Sequence, residues 1–126
     1  MGYYTRYELT VLDPNTGSQI EAHVLKGLDI YPALEADIQK LDDENGFFFD
    51  MGTNSFRMEE QSKWYESEDE MTALSIKYPT LLFMLEGEGE EVLDVWKEYF
   101  LNGRNQHCEA IITYEPLDLS LLKGEV

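Results

Sequence analysis

The chain has 126 residues, with 26 Asp or Glu against nine Lys or Arg and a formal net charge of −17. At 43% hydrophobic and 13% aromatic it is too apolar for a disordered acidic tail, and its length suits one domain, residues 1–126. Such a charge repels phosphates, so direct binding to nucleic acid or to an anionic membrane is not expected. The single cysteine, Cys108, excludes an internal disulfide framework and suits a reducing cytoplasm. MGYYTRYELT has no apolar leader and no run reaches 18 apolar residues, so neither a signal peptide nor a membrane span is expected.

Residues 3–12 alternate, with Tyr3, Thr5, Tyr7, Leu9 and Val11 on one face, which predicts a strand. Asp13-Pro14-Asn15-Thr16-Gly17 supplies turn chemistry, and the alternation of Ile20, Ala22 and Val24 predicts a hairpin partner over residues 19–25. A helix then opens at Asp29-Ile30-Tyr31-Pro32. Asp29 is its expected cap, Pro32 is tolerated in its first turn, and Leu34, Ile38 and Leu41 form its apolar stripe. The acidic run Asp42-Asp43-Glu44 opposes a helix C-terminus, which predicts a stop near Leu41 or Asp42.

Phe47-Phe48-Phe49 begins an extended segment that a turn at residues 51–54 joins to another over residues 55–65. Ser67-Glu68-Asp69-Glu70 matches a capping box. With Met71, Leu74, Ser75 and Tyr78 behind it and Pro79 as a stop, it predicts a helix over residues 68–78. The apolar run over residues 80–86 reads as a central strand covered on both faces, and residues 86–91 as an acidic turn. Alternation resumes over residues 92–101, and Asn102-Gly103 is the favoured type I′ dipeptide leading into a strand over residues 106–114. Leu117, Leu119, Leu121 and Leu122 predict that the last segment packs against the domain.

The chemistry-bearing feature is clustered acid: residues 35–44, 59–70 and 86–98 hold 17 of the 26 carboxylates, with only Lys40, Lys63 and Lys97 among them. Two readings follow. Either these are solvated faces that keep a small protein soluble, or they form a surface whose fixed carboxylates meet a partner's Lys and Arg where phosphates would. The second reading places the contact at Glu86, Glu88, Glu90, Glu91, Asp94 and Trp96, because Trp is a frequent interface anchor. No calcium-loop spacing is present. His23, His107 and Cys108 lack zinc-ligand spacing, and no phosphate-loop, dinucleotide, nucleophile-elbow or metalloprotease motif occurs. No catalytic residue, metal or cofactor is therefore expected; Cys108 reads as a buried structural thiol and the histidines as surface residues.

The order Lys63-Trp64-Tyr65, a short helix ending in Tyr78-Pro79, the apolar strand Leu82-Phe83-Met84-Leu85 and the turn Glu86-Gly87-Glu88-Gly89-Glu90 resembles the YubB-type ferredoxin-like domains of phages and mobile elements. The likeness covers residues 63–114. It departs from that family in lacking a Trp-Ser-Pro-Pro-like stretch, since Trp64 runs into Tyr65-Glu66-Ser67. What it implies is a β-α-β-β-α-β layer and a phage or mobile-element origin, with no activity attached.

The expected fold is thus α+β: an antiparallel sheet of four to six strands with two helices on one face, a ferredoxin-like variant. The expected function is a non-enzymatic, cytoplasmic, acidic binding protein, a phage-type inhibitor that mimics nucleic acid on the basic surface of a nucleic-acid-binding host protein. Its alternatives are a self-assembling accessory protein whose charge serves solubility, and a small-molecule-binding or enzymatic domain with a pocket lined by His107 or Trp96.

Overall fold

The computed structural model describes residues 4–42 and 46–124; Tyr3, Asp43 and Glu44, which figure in the predicted elements, lie outside them. One antiparallel sheet organises the chain. Its strands are β1 (Arg6–Leu12), β2 (Phe48–Asp50), β3 (Ser55–Arg57), β4 (Leu82–Glu88), β5 (Val95–Leu101) and β6 (Arg104–Glu109), in the spatial order β2-β3-β1-β4-β5-β6. Three helices are described, not two: α1 (Ala22–Lys26), α2 (Tyr31–Gln39) and α3 (Ser67–Lys77). None of the described helices is long and apolar enough to cross a membrane.

Register decides which side chains are buried. Leu9 lies opposite Leu85, and Leu85 opposite Glu98; Val11 lies opposite Phe83, and Phe83 opposite Phe100. Because successive strand residues point to opposite faces, this set lines one side of the sheet. There it joins Leu34 and Ile38 of α2 and Met71 and Leu74 of α3 in a single buried cluster. The central position of β4 is as expected, but its double coverage is not. Phe83 and Leu85 are buried, whereas Leu82, Met84 and Glu86 are only half-buried on a face that carries no helix.

The hairpin expected after β1 does not form. β4 takes one edge of β1, and β3 takes Glu8 and Leu9 on the other, where Ala22 and His23 would have to pair. The hairpin therefore stops after the Leu12–Gln19 bridge and its flanking backbone bonds, and the chain coils into α1, burying Leu25. The strand expected over residues 55–65 likewise shortens to Ser55–Arg57. Ser62 instead exchanges two backbone bonds of 2.8 Å with Thr5.

Caps differ from expectation for a local reason. No side chain caps α2; its flanking residue is Ile30, not Asp29, and it ends at Gln39. In α3, Ser67 is already helical. Glu70, the other half of the expected capping box, accepts instead from the indole Nε1 of buried Trp64. An indole N–H buried in a core needs an acceptor, and that demand outcompetes the cap. Ser75, buried within the apolar stripe of α3, accepts the Gly103 backbone N–H at 2.9 Å and so fixes the helix to the β5–β6 turn. In that turn Asn102 (φ 47°) and Gly103 (φ 83°) take the positive angles that Asn-Gly predicts.

The last segment departs most from expectation. Leu117 is 78% exposed and Leu122 67%, and the 3-10 turn Leu119–Leu121 buries none of its residues. β6 ends at Glu109, several residues before the predicted limit.

The helices are clamped to each other at Asp37. Lys77 Nζ lies 2.7 Å from its Oδ2, and the Tyr78 hydroxyl donates to the same oxygen at 2.5 Å. Lys77 first and Tyr78 second hold the Asp37 carboxyl below its ordinary value, while burial and then Asp37 push Tyr78 up to about 12. A carboxyl with a lowered folded pKa stabilises the fold above its unfolded value and loses that contribution as pH falls through the folded one. Asp37→Asn is therefore expected to cost about 1 kcal/mol at neutral pH. In urea titrations the gap to wild type should begin to narrow below about pH 4 and close only once pH has fallen through the lowered folded value; a gap independent of pH would contradict the clamp.

Candidate partner-binding surface

Two features stand out, one at an end of the sheet and one on the face that the helices leave bare. The first is the β4–β5 loop. Glu86, Gly87 and Glu88 belong to β4 and not to the turn, so the connection runs from Gly89 to Asp94. Gly89 N–H donates to the Asp94 carbonyl at 2.7 Å, Asp94 N–H donates to the Glu91 carbonyl at 3.2 Å, and Glu90 Oε1 accepts the Tyr4 N–H at 2.7 Å. Within this bonded frame, Val92 is 90% exposed and Leu93 63% exposed. Leu93 holds φ at 69°, an angle that costs a residue with a Cβ appreciable strain. Glu88, Glu90, Glu91 and Asp94 flank these two aliphatic side chains, with no Lys or Arg in the loop.

The second feature is a groove of about 420 Å³ across the bare face, over Gly87. The register aligns Arg57, Glu8, Glu86, Lys97 and Cys108 in one row across five strands, with Arg6 opposite Glu88 beside it. Glu8 and Glu86 are directly opposed like charges, a destabilising pairing by itself. The row tolerates it because Lys97 Nζ sits 3.6 Å from Glu86 Oε1, and Glu8 Oε2 accepts from Ser55 Oγ at 2.6 Å. Arg57 in turn pairs with Asp50 at 3.5 Å. Three of the chain's nine cations, Arg6, Arg57 and Lys97, thus line this groove among four carboxylates, Glu8, Glu86, Glu88 and Glu109. Further along the face, Leu82, Met84, Tyr99 and Leu101 are half-buried.

The residues singled out from sequence separate into three places. Glu86 and Glu88 line the groove, and Glu90, Glu91 and Asp94 belong to the loop. Trp96 borders the groove, but its register opposite Gly87 puts its indole on the helix face. There it lies edge-on to Tyr7, with ring centroids 5.9 Å apart, and packs against the core. His107 does not line the groove. Cys108 is half-buried on the bare face beside Lys97, so it is not the buried thiol that the alternation implied.

Sequence reasoning missed a polar knot on the helix face. Glu98 is buried there, accepting from Asn105 Nδ2 at 2.6 Å, with His107 Nδ1 3.8 Å from its other oxygen. The alternation of Trp96, Glu98 and Phe100 held that information, but Glu98 was masked by its acidic neighbours in sequence. The knot ties β5 to β6 across the end of the core. Among the described residues no group of three or more His, Cys, Asp or Glu side chains is gathered to hold a metal ion.

Gly87 is the position on which both faces depend. A Cβ there would lie 2.2 Å from Trp96 Cζ2, so Gly87→Ala must displace the indole. The substitution is expected to cost roughly 1–3 kcal/mol by overpacking and to red-shift tryptophan emission. In a Trp96→Ala background the same change should be nearly neutral, and equal costs in both backgrounds would refute the contact. Comparison with known proteins finds no matching family model, no similar curated protein and no similar solved structure.

Proposed function

We propose that the protein is a non-enzymatic, acidic binding protein that uses the β4–β5 loop to occupy a basic surface of a nucleic-acid-binding partner in the cytoplasm, as a phage-type inhibitor would. The observation that carries this reading is the loop itself: two exposed aliphatic side chains, one in a strained backbone conformation, flanked in sequence by four carboxylates, in a loop held by three hydrogen bonds. Solubility needs the charge but gives no reason to expose Val92 and Leu93, or to hold Leu93 at a positive φ. Interfaces combine an apolar centre with a polar rim, and here the rim carries the sign that meets Lys and Arg. Glu88, Glu90, Glu91 and Asp94 would then stand where the partner otherwise meets phosphates.

The strand order also bears on the resemblance. β2-β3-β1-β4, with helices between β1 and β2 and between β3 and β4, supports reading the first four strands as a split β-α-β, ferredoxin-like arrangement. On that reading β5 and β6 are a hairpin added at the β4 edge, and the loop leading into it is the added binding element.

The test is capture of a basic protein by tagged wild type and by the Glu88→Lys/Glu90→Lys/Glu91→Lys variant, with DNA or RNA as competitor. Wild type is expected to retain a nucleic-acid-binding protein that competitor and high salt release, and the variant to lose it. Equal capture by both proteins would leave the charge with a solubility role only. Leu93→Gly separates binding from folding: it removes the strained side chain, so urea stability should hold or rise while capture weakens.

A further inference from the structure

The two edges of the sheet are finished differently. At one, β2 is three residues long and ends in Asp50, which pairs with Arg57, so it offers little template for another strand. At the other, β6 keeps an unbroken register over six residues and contains no proline. No described strand lies beyond it. Ala110 N–H donates to the Val95 carbonyl, and the same register directs the backbone groups of Arg104, Gln106 and Cys108 to β5. The N–H and carbonyl groups of Asn105, His107 and Glu109 therefore point outward. Such a row pairs with another strand unless charge, proline or short length prevents it.

None of these prevents it at β6. Residues 99–114 hold one carboxylate, Glu109, and one cation, Arg104, in a chain with 26 carboxylates. Acid is thus thinned out where a second strand would lie. Ile111-Ile112-Thr113-Tyr114 continues past β6 with β-branched and aromatic residues, and Ile111 is 89% exposed.

The edge is also complementary to itself. Two copies of one strand meet antiparallel about a two-fold axis, and their hydrogen-bonded pairs must join residues whose backbone groups point outward. Few positions of the axis remain. An axis at His107 sets the two His107 side chains against each other, and one at Glu109 opposes two carboxylates, which is destabilising. One at Gln106 brings Glu109 against Gly103 of the turn and ends the ladder early. An axis at Cys108 sets His107 against Glu109 twice and Asn105 against Ile111 twice, over residues 104–112. We propose that β6 is a dimer interface, and that a second copy of the chain pairs with it in this register to join the two sheets into one. This does not depend on the partner of the β4–β5 loop.

Cys108 makes the register readable. On the axis the two Cys108 residues form a non-hydrogen-bonded pair with Cα atoms about 4.5 Å apart, within reach of a disulfide. Oxidised glutathione should exchange with them, two thiols giving one intermolecular disulfide and two reduced glutathiones. Gln106→Cys/Cys108→Ser carries its thiol on the same face but about 13 Å from its counterpart, and should not link. Mixed with Ala110→Cys/Cys108→Ser it should link, because residues 106 and 110 then face each other. Light scattering behind size exclusion should give wild type twice the mass of one chain. Glu109→Pro removes an outward N–H that the sheet itself does not use, and should run as a monomer with an unchanged circular dichroism spectrum. A wild type that is monomeric at every concentration, or a dimer untouched by Glu109→Pro, would overturn the proposal. So would linkage of the Gln106→Cys variant by itself, whatever the fate of the proline variant.

Discussion

The register of β1 against β4 and of β4 against β5 is the constraint on which the rest of the molecule depends. It sends Leu9, Val11, Phe83, Leu85 and Phe100 to the helices and Glu8, Glu86 and Lys97 to the opposite face. A slip of one residue between any of these strands would exchange the two sets, burying carboxylates and baring the core. No partial solution is stable, so the hydrophobic set specifies the charged one. The groove is therefore a consequence of the core: the cations and carboxylates that line it occupy the positions that the core's alternation leaves over.

Polar contacts then decide where the helices sit on the apolar face, because hydrophobic contact alone is non-directional. The Asp37 clamp ties α2 to the end of α3, Ser75 ties α3 to the β5–β6 turn, and the Trp64 indole ties the start of α3 to the chain entering it. Each tie is buried or partly so, and a buried polar group without a partner is costly. These bonds therefore specify one arrangement among the many that the same leucines would accept. The Glu98–Asn105–His107 knot does the same for the outer hairpin.

The sequence made the long strands and the two long helices legible, because Leu34, Ile38, Leu74 and Leu85 declare their periodicity over enough residues to be unambiguous. Asn102-Gly103 was legible for a different reason, since two consecutive positive φ angles demand that chemistry. What was illegible depended on competition for partners. Residues 19–25 alternate like a strand, yet β3 already holds Glu8 and Leu9, where their continuation would pair; Ser67 and Glu70 have capping-box spacing, yet the Trp64 indole claims the carboxylate. The loop was legible as acidic, but the exposure of Val92 and the strain at Leu93 were not, and nothing in the spacing of Arg6, Arg57 and Lys97 foretold their convergence. Those three are separated by 51 and 40 residues in sequence, and only the strand order unites them.

Charge works at two ranges in such a protein. Beyond the Debye length of about 8 Å at physiological salt, an approaching molecule senses little of either pattern. Nearer than that, the sum of −17 favours basic surfaces and opposes acidic ones. At contact the sum no longer matters, because what counts is the few groups that touch: four carboxylates flank the loop, while the groove sets Arg6, Arg57 and Lys97 among Glu8, Glu86, Glu88 and Glu109. The loop therefore presents a single sign at contact, whereas the charges of the groove answer one another across the strands.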